Sequence, residues 1–177
     1  MKKMLLVVLL CTLVVIRVLF FSSNDRAGAA PDEVTPTKGT AVDVARGELI
    51  YVPIYSRIFY EDTKAALELA ATLSIHNVNP DRSITVTRAD YYDTAGKPIH
   101  KYVETPWVLK PLETRNLVIE RANTAGGAGA NFLVEWHSDS EVTCPLVEAL
   151  MVSASHNLGI SFTSIGKVVQ RFGGQTD

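Results

Sequence analysis

The sequence predicts an all-β protein, an immunoglobulin-like antiparallel β-sandwich of about seven to nine strands preceded by an N-terminal signal or anchor segment. Three observations predict it. From Gly47 onward apolar and polar residues alternate with the period of a strand that has one wet face. Clusters of Asn, Asp, Gly and Pro punctuate those runs at a spacing of roughly 8 to 12 residues. The strand–helix–strand rhythm of a parallel sheet is missing. A chain of 177 residues suits one such domain plus a targeting segment.

The N-terminus comes first. Lys2 and Lys3 precede Met4 to Phe21, an apolar run interrupted only by Thr12 and Arg17, which is the order of an export signal. Ala27-Gly28-Ala29 supplies the small residues a signal peptidase accepts, with the cut after Ala29. Because the run approaches the roughly 20 residues that span hydrocarbon, an uncleaved membrane anchor is the alternative. In either case Lys2 and Lys3 stay in the cytoplasm, and the rest is expected in the periplasm or anchored in the inner membrane facing it. Cys11 follows Leu9-Leu10 instead of a small residue and does not read as a lipidation site. The expected divisions are 1–29 signal peptide or anchor, 30–46 flexible linker, 47–172 sandwich and 173–177 tail.

Within the sandwich, Tyr51 to Tyr55 is a strand whose Pro53 cannot donate to a ladder, which suggests a sheet edge. Glu61 to Glu68 is the one helix-like piece. In LAATLSIH, Leu69, Ala71, Leu73 and Ile75 point one way while Ala70, Thr72, Ser74 and His76 point the other. Asn77 to Asp81 supplies turn chemistry. SITVTRADYYD is a long strand whose apolar phase shifts between Val86 and Ala89, and a bulge near Arg88 accounts for the shift. A turn over Asp93 to Pro98 follows, then IHKYVETPWVL, interrupted by Pro106, and a strand over Asn116 to Glu120. Phe132, Val134 and Trp136 share one face of the strand after the glycine-rich stretch. Leu146 to Ser153 is apolar on both faces apart from Glu148, so either Leu150 and Val152 or Ala149 and Met151 are candidates for cover by another chain, and a central strand buried by the long N-terminal arm is the alternative. Ile160 with Phe162, and Val168 to Phe172, complete the set.

Charge and cysteine content exclude several functions. Removing Lys2, Lys3, Arg17 and Arg26 from 17 basic residues, and Asp25 from 19 acidic ones, leaves 13 against 18, a balance near −5. Weak acidity without basic clusters leaves no electrostatic footprint for nucleic acid. Cys144 is the only cysteine beyond the signal, so no disulfide forms within the domain.

No cofactor, catalytic set or metal site is expected. In NTAGGAGAN the glycines open a strand, whereas a phosphate loop needs them to open a helix, and no lysine lies between Lys110 and Lys167. Gly126, Gly127 and Gly129 read first as geometry, granting positive φ or close backbone approach. With Asn123 and Asn131 they are also the candidate binding loop. His76, His100, His137 and His156 lack compact ligand spacing. Asp90 and Asp93 suit turn capping better than calcium. Cys144 reads as a structural thiol, Ser153-Ala154-Ser155-His156 lacks a nucleophile elbow, and nothing marks Glu104, Glu135 or Glu148 as an acid–base pair. Tyr51, Tyr55, Tyr60, Tyr91, Tyr92, Tyr102 and Trp107 leave a sugar-stacking face as an alternative to core packing.

ATLSIHNVNP, ITVTRADYYDTAG, GGAGANFLVEW and GISFTS together resemble a bacterial exported family catalogued only as domain of unknown function 3124, over about residues 49 to 170. The resemblance implies an envelope location and a small β domain; it brings no activity and no site residues. The expected function is a non-enzymatic binding or accessory module of the cell envelope, its partner an envelope protein or a cell-wall glycan. A carbohydrate-binding domain is the alternative, an uncharacterised hydrolase a more distant one. The oligomeric state is left open.

Overall fold

The computed structural model describes residues 44–60, 62–155 and 158–172. The signal or anchor segment, nearly all of the linker, His156 and the tail lie outside them. The described part holds twelve strands: β1 (Val44–Pro53), β2 (Arg57–Tyr60), β3 (Asp62–Glu68), β4 (Ala70–His76), β5 (Ile84–Tyr92), β6 (Pro98–Lys101), β7 (Trp107–Leu109), β8 (Thr114–Ile119), β9 (Asn131–Thr143), β10 (Leu146–Ser155), β11 (Leu158–Ile165) and β12 (Lys167–Arg171). All pairings are antiparallel. One six-stranded sheet runs β12-β1-β9-β5-β6, with β7 also on β5, and a four-stranded sheet runs β11-β10-β4-β8. The antiparallel sandwich is therefore as the alternation predicts, with more strands than expected.

The two sheets bury each other's apolar faces. Ile50 and Val52 from β1, Phe132, Val134 and Trp136 from β9, and Ile84 and Val86 from β5 meet Ala71, Leu73 and Ile75 from β4 and Val147, Ala149 and Met151 from β10. Side chains alternate strictly in β4, so Thr72, Ser74 and His76 are left on the other face. The phase shift in β5 has the expected cause, since the β5–β9 register breaks between Val86 and Arg88. That bulge lets Ile84 and Val86 face inward before it and Ala89 and Tyr91 after it.

Two expectations are corrected. Glu61–Glu68 is not helical: its described part is β3, paired with β2 from Arg57↔Glu68 to Tyr60↔Asp62. Tertiary pairing overrides the helix propensity of Ala65, Ala66 and Leu67, and the bond from Leu69 N to Ser56 O (2.9 Å) closes the hairpin's base. Pro53 does not mark an edge, because β1 lies between β12 and β9. The proline is tolerated at the strand's last position, opposite Asn131 and beyond the β12 register, which ends at Tyr51.

Candidate functional site

The glycine-rich stretch was the first candidate. Gly126 has ordinary helical dihedrals, φ −68° and ψ −37°, and opens a single 3-10 turn at Gly127–Gly129. It is buried, and a Cβ there would stand 1.9 Å from the Tyr91 hydroxyl, so the residue is glycine for want of room. Gly127 adopts φ +77°, the left-handed region that favours glycine. The backbone of the turn is engaged with its neighbours. Gly126 O accepts from Thr94 N (3.0 Å) and Thr94 Oγ1 (2.9 Å), and Gly129 N donates to Thr94 Oγ1 (2.9 Å). Gly127 O accepts from both Ser56 N and Ser56 Oγ at 3.1 Å, and Ala130 O accepts from Ile54 N at 3.0 Å. Asn123 is exposed and its Oδ1 accepts from Ala125 N (3.3 Å), while Asn131 is half-buried at the start of β9. The stretch is thus a clasp that fastens the β5–β6 turn and the end of β1 to one another.

Side chains able to do chemistry are dispersed or engaged. Glu48 is fully buried; its Oε1 accepts from Arg171 Nε (3.1 Å) and Cys144 Sγ (3.3 Å), and its Oε2 from Trp136 Nε1 (3.3 Å). Arg171, Glu48 and Trp136 are direct cross-strand neighbours over β12, β1 and β9, so the register itself assembles the cluster. Cys144 is thus held as a donor to a buried carboxylate inside the fold. Ser153 Oγ donates to Glu68 O (2.9 Å). His76 Nδ1 lies 2.8 Å from Thr114 Oγ1 and its Nε2 3.7 Å from Glu148; His100 packs edge-on against Tyr102, and His137 is exposed. Among the described residues no three His, Cys, Asp or Glu side chains converge as a metal site. Asp93 Oδ1 caps its turn, accepting from Ala95 N (2.9 Å) and Lys97 N (2.8 Å).

The tyrosines do not form a row. Tyr91 is buried and stacks on Phe132 at 5.0 Å, Tyr102 tilts against the same ring at 5.7 Å, and Tyr55 packs on Phe162 at 6.0 Å. Burial pushes the Tyr91 phenol up, with nearby Ser56 acting the other way, and burial also raises Tyr102. The Tyr92 hydroxyl bonds to Arg88, whose Nε reaches Asp90 Oδ2 at 2.7 Å. Burial works against the Arg88 charge, but Asp90 and Tyr92 outweigh it and raise the guanidinium. Trp107 is covered by Arg115, 4.4 Å from its ring centre.

Exposed apolar side chains occur singly at Phe59, Val108, Leu112 and Val169, and several gather on the outer face of the four-stranded sheet. Leu150 and Val152 on β10 are each 41% exposed, Val118 on β8 61% and Ile165 on β11 67%. Register sets Leu150 between Thr72 and Thr163, Thr72 beside Val118 and Ile165 beside Glu148, so these side chains share one surface with hydroxyls and the Glu148 carboxylate between them. Their opposite-face neighbours Ala149 and Met151 are in the core. Of the two faces the sequence offered for cover by another chain, this is the one left open. Sequence reasoning missed Glu48, although it stands in phase with Ile50, Val52 and Ile54 and so was readable as an inward carboxylate. It also did not foresee the reach of Asn77 and Asn79. Asn77 Nδ2 donates to Arg82 O (2.7 Å) and Lys110 O (2.9 Å), and Asn79 is tied both ways to Thr143, through Nδ2 to O (3.0 Å) and Oδ1 from N (2.9 Å).

These features define a β-sandwich with an open sheet face. Residues 47–169 match the family described as Protein of unknown function (DUF3124), and the chain belongs to that family. Among curated proteins none matches. Among solved structures, the crystal structure of Thermotoga maritima 1070 is similar at a TM-score of 0.40 and 14% identity, over 70% of this chain and 93% of that one. That likeness is too slight to carry an argument.

Proposed function

We propose that this chain is a non-enzymatic binding module of the bacterial cell envelope, exported by its N-terminal segment and engaging a protein partner through the outer face of the four-stranded sheet. The observation that carries the reading is the surface of Val118, Leu150, Val152 and Ile165, which a monomer leaves in water at a cost of about 25 cal/mol per Å² of apolar area. Supporting it, Glu48, Cys144, Ser153 and the backbone of the glycine stretch spend their polar atoms inside the fold. A glycan is disfavoured as the ligand because Tyr91, Tyr102 and Tyr55 pack against Phe132 or Phe162 and Arg115 covers Trp107. The test is a photo-reactive amino acid placed at Leu150 and, separately, at Asn123 in growing cells. A discrete cross-linked adduct in the envelope fraction from position 150 and none from 123 is expected. Adducts from the glycine stretch alone, or recovery of the chain in the cytosol, would overturn the proposal.

A further inference from the structure

Among the described residues the four-stranded sheet ends in β8 and β11, and the six-stranded sheet ends in β12 and in β6 with β7. Three of these edges carry the devices that keep strand edges from pairing with other chains: Lys167 and Arg171 on β12, Pro98 and Lys101 on β6, and Arg115 on β8. The fourth, β11, reads LGISFTSI and has neither charge nor proline. Its pairing with β10 runs unbroken from Leu158↔Ser155 to Ile165↔Glu148, so no bulge turns its free side away. Such a side offers a row of N–H and C=O groups to another strand.

We infer that β11 pairs antiparallel with β11 of a second copy of this chain, joining two four-stranded sheets into one of eight. The strand carries no charge to select an acidic or basic peptide, whereas two identical antiparallel strands satisfy each other about a two-fold axis. Directly opposite residues must share a face, so the axis passes through a residue. Its side chains suit an axis at Phe162. Phe162 then meets Phe162 of the second copy on the core side, with Ile160 opposite Ser164. On the outer side Ser161 faces Thr163, and Ile165, 67% exposed, faces Gly159, whose missing side chain leaves open space. An axis at Ser161 would set Gly159 against Thr163 and leave Ile165 beyond the paired strand. The pairing also sets two copies of the Leu150–Val152 surface in one continuous face, but it does not depend on that surface binding anything.

Sedimentation of the full chain in mild detergent tests this. The wild type is expected as a dimer. Ser161→Lys with Thr163→Lys gathers like charge at the axis and is expected to weaken the dimer by at least about tenfold. Ser161→Glu with Thr163→Lys sets opposite charges face to face and restores it, and Val169→Lys on the β12 edge leaves it unchanged. A wild type that is monomeric at every soluble concentration, or a dimer indifferent to the lysine pair, overturns the inference. Should the lysine pair unfold the chain, hydrogen exchange of the wild type decides. Exchange over residues 158–165 slows with concentration if the strands pair, and concentration-independent exchange there refutes it.

Discussion

Replacing three glycines by alanine separates steric from conformational demands. Gly126 has dihedrals that alanine adopts freely, and by lowering unfolded-chain entropy the change alone would stabilise by about 0.4–1 kcal/mol. Its new Cβ, however, would stand 1.9 Å from the Tyr91 hydroxyl and 2.7 Å from Ala130 Cβ, and Tyr91 is pinned by its stack on Phe132. Overpacking of this kind costs about 1–3 kcal/mol, so Gly126→Ala is expected to destabilise by about 2 kcal/mol. Gly96 is the converse: φ is +77° and nothing lies within 4 Å of a Cβ, so Gly96→Ala costs only the left-handed conformation, about 1 kcal/mol. Gly127 combines both, with φ +77° and Thr94 Oγ1 at 2.6 Å, for about 2–3 kcal/mol. Tyr91→Phe removes the nearest clash and should recover about 1 kcal/mol of the Gly126→Ala loss and none of the Gly96→Ala loss. Urea unfolding followed by the fluorescence of buried Trp136 measures the wild type, the four single variants and the two double variants with Tyr91→Phe. Gly126→Ala no worse than Gly96→Ala, or no coupling to Tyr91→Phe, would refute the steric account.

Other consequences are as direct. Asn79→Ala frees Thr143 N and O from their side-chain partner and should cost about 2–3 kcal/mol in the same assay, against less than about 0.5 kcal/mol for exposed Asn123→Ala. Arg171→Met strips buried Glu48 of its cation; half-exposed Arg171 leaves a path for water, so the loss should fall at the low end of the usual range, about 3 kcal/mol, and Glu48→Leu in addition should recover most of it in urea unfolding. Tyr91 and Tyr102 have folded phenol pKa values raised by burial, so the unfolded chain loses its protons first as pH rises. Their contribution is therefore intact below pH about 10 and lost above it. A melting-temperature profile should decline there, and more shallowly in Tyr91→Phe.

Most of the fold was legible because β4 and β9 alternate without interruption, and even the Thr87 bulge left its trace as a phase shift from Val86 to Ala89. β3 was not legible, since Ala65, Ala66 and Leu67 favour a helix and only their pairing with β2 decides otherwise. Pro53 misled for a related reason: a missing donor forbids a ladder bond, but at a strand's end there is none to lose. The geometric role of Gly126 was readable as a need for small residues, while the cause, the Tyr91 hydroxyl, comes from a strand distant in sequence. Likewise, that Leu150 rather than Met151 faces outward follows from which side of β10 meets the other sheet, and a strand apolar on both sides cannot announce that.

Oxidative footprinting of the outer sheet face in intact cells, compared with the purified chain, bears most directly on the binding role. The account predicts that Val118, Leu150 and Val152 label freely on the purified chain and are shielded in cells, while labelling around Asn123 is the same in both. Equal labelling of the three side chains in both settings would contradict it.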